Sequence, residues 1–329
     1  MRQTVAVLGA GNMGTALAQV IATNGHAVRA WSIETDVLEE MRDARLNTKY
    51  LAGIDLHAGI EATWEIEKAV EGAALILVSV PSQVVRTIAQ ELASLINHEQ
   101  VIINVAKGLE SETHLRMSEV LAQELGEHFE HNIGSMGGPA IAIEMARGEP
   151  MAAIAGVEDE HAAREVQRLM QNEHLKVQTT PDVCGLELCS TLKNIYAILL
   201  GICDGMGYGT NTKAFLATLA VHEMSDIVNW LGGRPETVHG LAGVGDLLTT
   251  GFSKHSRNRS FGELLGSDGD WHDFLHTKTV EGAMSARAFR ALLRSRGHQA
   301  YLLETVNEII FDDRNCGEAI REFLREFSY

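Results

Sequence analysis

The sequence predicts a doubly wound α/β domain built on a parallel sheet, followed by a mainly α-helical domain. Three observations carry this. Short β-branched runs alternate with helical periodicity through the first 180 residues; the first run empties into a glycine-rich turn that opens a helix; and from Pro181 the period-two alternation gives way to long helical stretches separated by glycine clusters. At 329 residues the chain is long enough for two domains, with the boundary placed at 180/181 and no Pro/Ser-rich linker to separate them. A ligand-binding cleft between the halves is expected from this organisation.

Strands are predicted at 4–8, 27–31, 75–80 and 101–105, with weaker ones at 132–135, 151–155 and 176–179. Helices are predicted at 15–24, 83–96 and 114–129, the last with Met117, Leu121, Leu125 and Phe129 as one apolar stripe. The second half is read as helices at 184–200, 213–231, 279–296 and 303–312.

Composition narrows the function. A formal charge of −17 repels phosphate backbones and anionic lipid, so nucleic acid is disfavoured as a partner. No stretch reads as a bilayer span, and four cysteines without a CxxC pair, with histidines in no ligand spacing, give no metal site. A soluble cytoplasmic protein with reduced, buried cysteines is expected.

The turn after the first strand reads Gly9-Ala10-Gly11-Asn12-Met13-Gly14. One glycine makes the tight turn, the next lets a pyrophosphate approach the backbone, and the third lets helix pack on strand, while the helix N-terminus offers unpaired N–H groups. Glu34 lies twenty positions after Gly14, where a carboxylate accepts from a ribose 2′-hydroxyl and disfavours a 2′-phosphate, so NAD is preferred to NADP. Residues 32–36 also read as an ordinary helix-entry loop with a solvated acid.

Lys107 leaves the fourth strong strand at its carboxyl end, where open α/β sheets place ligands, and 137–140 (Gly-Gly-Pro-Ala) forms another close-approach loop. In the second half Lys193-Asn194 sits inside an apolar helix, which makes Lys193 either a desolvated acid/base or a lysine whose amine snorkels to solvent. Asp246 is the single acid of a glycine-rich turn, 240–248. Residues 253–260 gather hydroxyls, an amide and guanidinium groups, read as an anion trap or as a solvated basic face.

In their order along the chain these segments resemble the bacterial-type NAD(P)-dependent glycerol-3-phosphate dehydrogenases. The resemblance rests on GAGNMGTALA at 9–18, Asn47 with Tyr50-Leu51, VPS at 80–82, AKGLE at 106–110, GGPAIA at 137–142, LKNIYAI at 192–198, GLAGVGDLLTT at 240–250, SRNRSFG at 256–262 and TVEG at 279–282. It implies a Rossmann-type domain over 1–180 and a helical substrate domain over 181–329 of the 6-phosphogluconate dehydrogenase C-terminal-like kind. It also implies hydride transfer between a nicotinamide (NAD or NADP) and C2 of dihydroxyacetone phosphate or glycerol 3-phosphate, feeding glycerophospholipid synthesis, in a homodimer.

Under the resemblance Lys193 is the general acid/base at the C2 oxygen, Lys107 a second cation at the substrate oxygens, and Asp246 its orienting acid. Ser256, Arg257 and Asn258 hold the phosphate and neighbouring hydroxyls, with Gly138 and Ala140 adding backbone contacts. The cofactor is lined by Gly9, Gly11, Asn12, Met13, Gly14, Glu34, Lys107, Ala142, Arg257 and Glu281. Two positions depart from the family pattern. Ala140 replaces the usual Ser or Thr, and Ile33 stands where many members carry a basic residue or histidine, which weakens NADP relative to NAD. The same two-part build also serves reductases of small carboxylates, of the ketopantoate or hydroxyisobutyrate type, and could serve a dinucleotide sensor without catalysis.

Overall fold

The structure, a computed structural model, describes residues 2–267 and 269–326. The chain divides into two compact units, Met1–Glu110 with Leu115–Val183, and Ser111–His114 with Cys184–Tyr329. Each is described by itself.

The first unit carries strands β1 (Thr4–Leu8), β2 (Ala27–Trp31), β3 (Ile60–Thr63), β4 (Leu75–Val78), β5 (Val101–Asn104), β6 (Ile133–Gly137), β7 (Met151–Val157) and β8 (Leu175–Thr180). Its helices are α1 (Asn12–Thr23), α2 (Thr35–Asp43), α3 (Thr48–Leu51), α4 (Ile66–Val70), α5 (Val85–Leu92), α6 (Met117–Leu125), α7 (Ala142–Ala146) and α8 (Glu160–Met170). The strands form one sheet in the order β3-β2-β1-β4-β5-β6-β7-β8. Alternation along each strand divides its side chains between two cores. Val5, Val7, Leu75, Leu77 and Ile103 face the helix layer of α1, α2 and α8, whereas Ala6, Leu8, Ile76, Val78 and Ile102 face that of α4, α5 and α6. Such a sheet is hydrophobic on both faces, which is why β4 and β5 read as unbroken apolar runs.

Two expectations about the sheet are corrected. The sheet is not wholly parallel: β6 and β7 run antiparallel. The connection between them holds only the short α7, which packs on α1, so the chain re-enters the sheet from the end it left. The sequence reading also lacks β3, a four-residue edge strand on β2 whose exposed Glu61 interrupts any apolar run.

The second unit contains α9 (Val183–Gly205), α10 (Thr210–Trp230), α11 (Asp246–Phe252), α12 (Arg257–Gly266), α13 (Trp271–Thr277), α14 (Glu281–Ser295), α15 (Tyr301–Phe311) and α16 (Cys316–Glu326). By length and composition α9 could cross a bilayer, which corrects the expectation that no stretch qualifies. Its most apolar window is wholly buried, and it is the core helix of this unit. The helices α9 and α12 approach backbone to backbone. A Cβ on Gly201 would lie 2.1 Å from the Arg259 carbonyl oxygen, and one on Gly262 would lie 2.0 Å from that of Ile198. Of the four cysteines, Cys189 and Cys203 are buried, while Cys184 and Cys316 are only half-buried.

Inside this unit Glu223 receives the Tyr196 hydroxyl at 2.8 Å and the first-turn amides of α15, Leu302 at 2.7 Å and Leu303 at 2.9 Å. Burial pushes its carboxyl from the ordinary 4.5 up to about 7, against the pull of those three donors. A carboxyl that holds its proton more tightly when folded stabilises the fold below its unfolded pKa and loses that contribution as pH rises through about 7. Thermal denaturation from pH 4.5 to 8 is expected to show this loss, and Glu223→Gln is expected to flatten that part of the profile; an unchanged slope in the variant would refute the assignment.

Candidate active site

The chemistry-bearing residues gather in two clusters, one within each unit. In the first unit the order of the strands reverses between β1 and β4, the place where open sheets bind ligands at their carboxyl ends. The turn between β1 and α1 lies there. Gly9 has φ of +112°, and a Cβ on it would stand 2.3 Å from the Ser79 carbonyl oxygen; one on Gly14 would stand 1.9 Å from the carbonyl oxygen of Gly9. Gly11, by contrast, faces open space and caps α1 without any side-chain hydrogen bond. The first amides of a twelve-residue helix are thus left to a ligand, behind a turn that has no side chain to block a pyrophosphate. This cradle fits the diphosphate of a dinucleotide.

The other predicted nucleotide residues fall around this cradle in different ways. Asn12 turns its side-chain amide to the Tyr50 carbonyl at 2.7 Å, and Met13 packs against the core. Glu34 precedes α2 and forms an ion pair with Lys49, and with the Tyr50 hydroxyl this holds its carboxyl below the usual range. Ile33 beside it is 82% exposed. Lys107 follows β5 in a turn fixed by Asn104, whose side chain accepts from the Ala106 amide at 3.0 Å and donates to its carbonyl at 2.8 Å. A Cβ on the next residue, Gly108, would lie 3.2 Å from the Ser82 hydroxyl, so the loops that follow β4 and β5 lie against each other. Gly138 has φ of +102° directly after β6, and Ala140 and Ala142, the latter the first residue of α7, pack on the core.

In the second unit Lys193 is 5% exposed and Asp246 2%. The Lys193 ammonium donates to Asp246 Oδ1 at 2.8 Å and to the Thr250 hydroxyl, which lies 3.3 Å from the same carboxylate oxygen. Lys193 therefore does not snorkel to solvent. A π turn over Leu241–Gly245 delivers Asp246 to the start of α11, and Gly243 within it would put a Cβ 2.0 Å from the Val238 carbonyl oxygen. The recognisable glycine-acid segment is thus the backbone device that carries a carboxylate to a buried ammonium. The structure makes Asp246 a partner of Lys193.

The side chains of the 253–260 segment have different partners. Ser256 caps α12, its oxygen accepting from the Arg259 amide at 3.2 Å while its hydroxyl hydrogen is still available. Arg257 is exposed and has no ion-pair partner among the described residues. Asn258 is 7% exposed; its Oδ1 accepts from the Gly282 amide at 2.9 Å, which leaves the NH₂ end for a ligand. Arg259 is turned away, its guanidinium on Asp204 at 2.7 Å, so it takes no part in an anion trap at the other residues. Glu281 begins α14 and accepts from Asn194 at 3.3 Å. Asn194 and Thr250 are not singled out by the sequence, although Asn194 adjoins Lys193 and Thr250 lies one helical turn after Asp246. Among the described residues no His, Cys, Asp and Glu group of metal-binding composition occurs.

A dinucleotide cradle on a doubly wound sheet, together with a helical unit that presents a buried lysine and a helix start carrying an exposed arginine, defines a two-part nicotinamide-linked dehydrogenase. The family profile described as NAD-dependent glycerol-3-phosphate dehydrogenase N-terminus matches residues 4–163, and its C-terminus counterpart matches 182–321. Glycerol-3-phosphate dehydrogenase [NAD(P)+] of Agathobacter rectalis is 37% identical over 322 residues, which span 97% of this chain and 95% of that protein. The protein of the same name from Chlorobium luteolum is 36% identical over 97% of each chain. The crystal structure of glycerol-3-phosphate dehydrogenase from Coxiella burnetii superposes with a TM-score of 0.91 at 32% identity, covering 99% of both chains. The chain belongs to the NAD-dependent glycerol-3-phosphate dehydrogenase family, oxidoreductases that act on a CH–OH group with NAD or NADP.

The geometry of the buried pair makes a stability prediction. Asp246→Ala leaves an uncompensated ammonium in the core and is expected to cost about 3–5 kcal/mol, whereas Lys193→Met combined with Asp246→Leu recovers most of that loss. Chemical denaturation of the two variants checks this, and equal stabilities would contradict it.

Proposed function

We propose that this chain interconverts dihydroxyacetone phosphate and sn-glycerol 3-phosphate, supplying the backbone for glycerophospholipids, as a cytoplasmic homodimer. The observation that carries the reading is the Lys193–Asp246–Thr250 cluster within a helical unit that also presents Ser256, Arg257 and Asn258. Bound nicotinamide nucleotide supplies or accepts the hydride at C2. Proton chemistry at the C2 oxygen falls to Lys193. Its ammonium donates a proton as the carbonyl becomes an alkoxide, and the Asp246 carboxylate holds it in place and stabilises its charge. Without such a donor the developing alkoxide would be unsolvated in a dry site.

The phosphate is held by Arg257, which presents two parallel N–H donors, with the Ser256 hydroxyl and the Asn258 amide completing the grip at the start of α12. That handle orients C2 from a distance and contributes binding in ground and transition states alike. In the first unit the glycine turn takes the diphosphate, while Lys107 and the 138–142 loop supply further contacts to substrate and nucleotide. NAD is the favoured nucleotide, because Glu34 stays ionised and opposes a 2′-phosphate.

Absorbance at the nicotinamide band tests this, with dihydroxyacetone phosphate offered beside a matched carboxylate and with NADH run beside NADPH. Oxidation with the phosphate substrate is the expected result; a faster carboxylate reaction, or nucleotide binding without any turnover, would replace the reading. Lys193→Ala is expected to lower kcat by ~10²-fold or more while nucleotide binding persists. Near-normal turnover would remove Lys193 from its role. Arg257→Ala is expected to act mainly on KM for the phosphorylated substrate, and an unchanged KM would count against the phosphate assignment.

A further inference from the structure

The carboxyl end of β2 holds more than the acid that the sequence suggests. α3, a single turn, is fastened to the glycine loop from two sides. Asn47, 1% exposed, donates to the Ala10 carbonyl and to the Thr15 hydroxyl, both at 2.9 Å, and accepts from the Tyr50 amide at 3.2 Å. Asn12 completes the attachment at the Tyr50 carbonyl. This fixes Lys49 and Tyr50 beside Glu34. The Lys49 ammonium pairs with Glu34, lies 3.9 Å from Asp36 Oδ2, and stands 5.4 Å from the centre of the Tyr50 ring. The pair is open to a ligand, since the Lys49 side chain is 47% exposed and that of Glu34 30%.

We infer that Lys49 sets the nucleotide preference, as a counter-ion shared between Glu34 and the 2′-phosphate of NADP. A phosphate monoester brought to Glu34 and Asp36 alone would meet two carboxylates and no compensating charge. An ammonium on a flexible stem has three donors and a compact charge, so it can leave one carboxylate for a phosphate without rearranging the backbone. With NAD bound, Lys49 remains on Glu34, whose oxygens accept from the ribose hydroxyls. With NADP bound, Lys49 turns to the phosphate and Glu34 retains only the Tyr50 hydroxyl. The chain is thereby an enzyme that admits both nucleotides with a modest bias to NAD, in spite of Ile33. This inference rests on the reading of the first unit as a nucleotide site and is independent of the substrate.

The test is calorimetric binding of ADP-ribose and of 2′-phospho-ADP-ribose to the full chain and to two variants. Lys49→Met is expected to weaken the phosphorylated ligand by about tenfold or more, the scale of one charge-assisted hydrogen bond, and to change ADP-ribose by less than about threefold. Glu34→Gln, with Lys49 released from its partner, is expected to tighten 2′-phospho-ADP-ribose and to weaken ADP-ribose, whose ribose hydroxyls lose their charged acceptor. Equal effects of Lys49→Met on both ligands, or none on the phosphorylated one, would overturn the inference. Turnover of dihydroxyacetone phosphate is followed separately, so that a shifted ligand preference in a protein without turnover would uphold the role of Lys49 while removing the proposed substrate.

Discussion

An ammonium group placed inside an apolar helix has to be met by a carboxylate, and much of the second unit is arranged around that requirement. Lys193 lies on α9 and is buried with Asp246 at its ammonium, and desolvation of its charge would be prohibitive without that carboxylate. Meeting it demands that α11 start at one particular place, which the π turn and the close approach of Gly243 to Val238 bring about. It also demands that neighbouring helices come near enough to keep water out. The backbone contacts of Gly201 and Gly262 between α9 and α12 do this, and they set the Ser256–Asn258 helix start relative to Lys193. A Cβ at either glycine would force α9 and α12 apart.

The first unit follows a different constraint, exclusion of side chains from a turn. Gly9 and Gly14 pack into backbone, Gly11 is left open, and helix α1 begins without a side-chain cap. The turn is shaped by missing side chains, and at Gly9 and Gly14 the backbone leaves no room for a Cβ. Asn47 then ties α3 to that turn through the Ala10 carbonyl and the Thr15 hydroxyl.

How much of this the sequence discloses depends on the reach of each interaction. The strands β1 and β2, the glycine turn and α9 are legible because local periodicity and glycine spacing define them. The antiparallel β7 is not, because direction depends on where α7 packs, and α7 is too short to announce itself. Lys193 is legible as a costly residue in an apolar helix, but its partners Asp246 and Thr250 lie more than fifty positions away and only the fold joins them. Arg259 shows the reverse case. It shares the composition of the anion-binding segment, yet Asp204 on α9 draws it off. Glu34 is legible from its spacing to Gly14, whereas Lys49, its ion-pair partner, has no spacing rule and follows from where Asn47 fastens α3.

The central claim is that one buried ammonium and one helix start in the second unit hold the C2 oxygen and the phosphate of a phosphorylated three-carbon substrate. A crystal structure with glycerol 3-phosphate tests it most directly. The account predicts the C2 oxygen within hydrogen-bonding distance of Lys193 Nζ and the phosphate on Ser256, Arg257 and Asn258. Phosphate density away from that helix start, or a Lys193 ammonium engaged solely by Asp246 and Thr250 with the C2 oxygen out of reach, would contradict it.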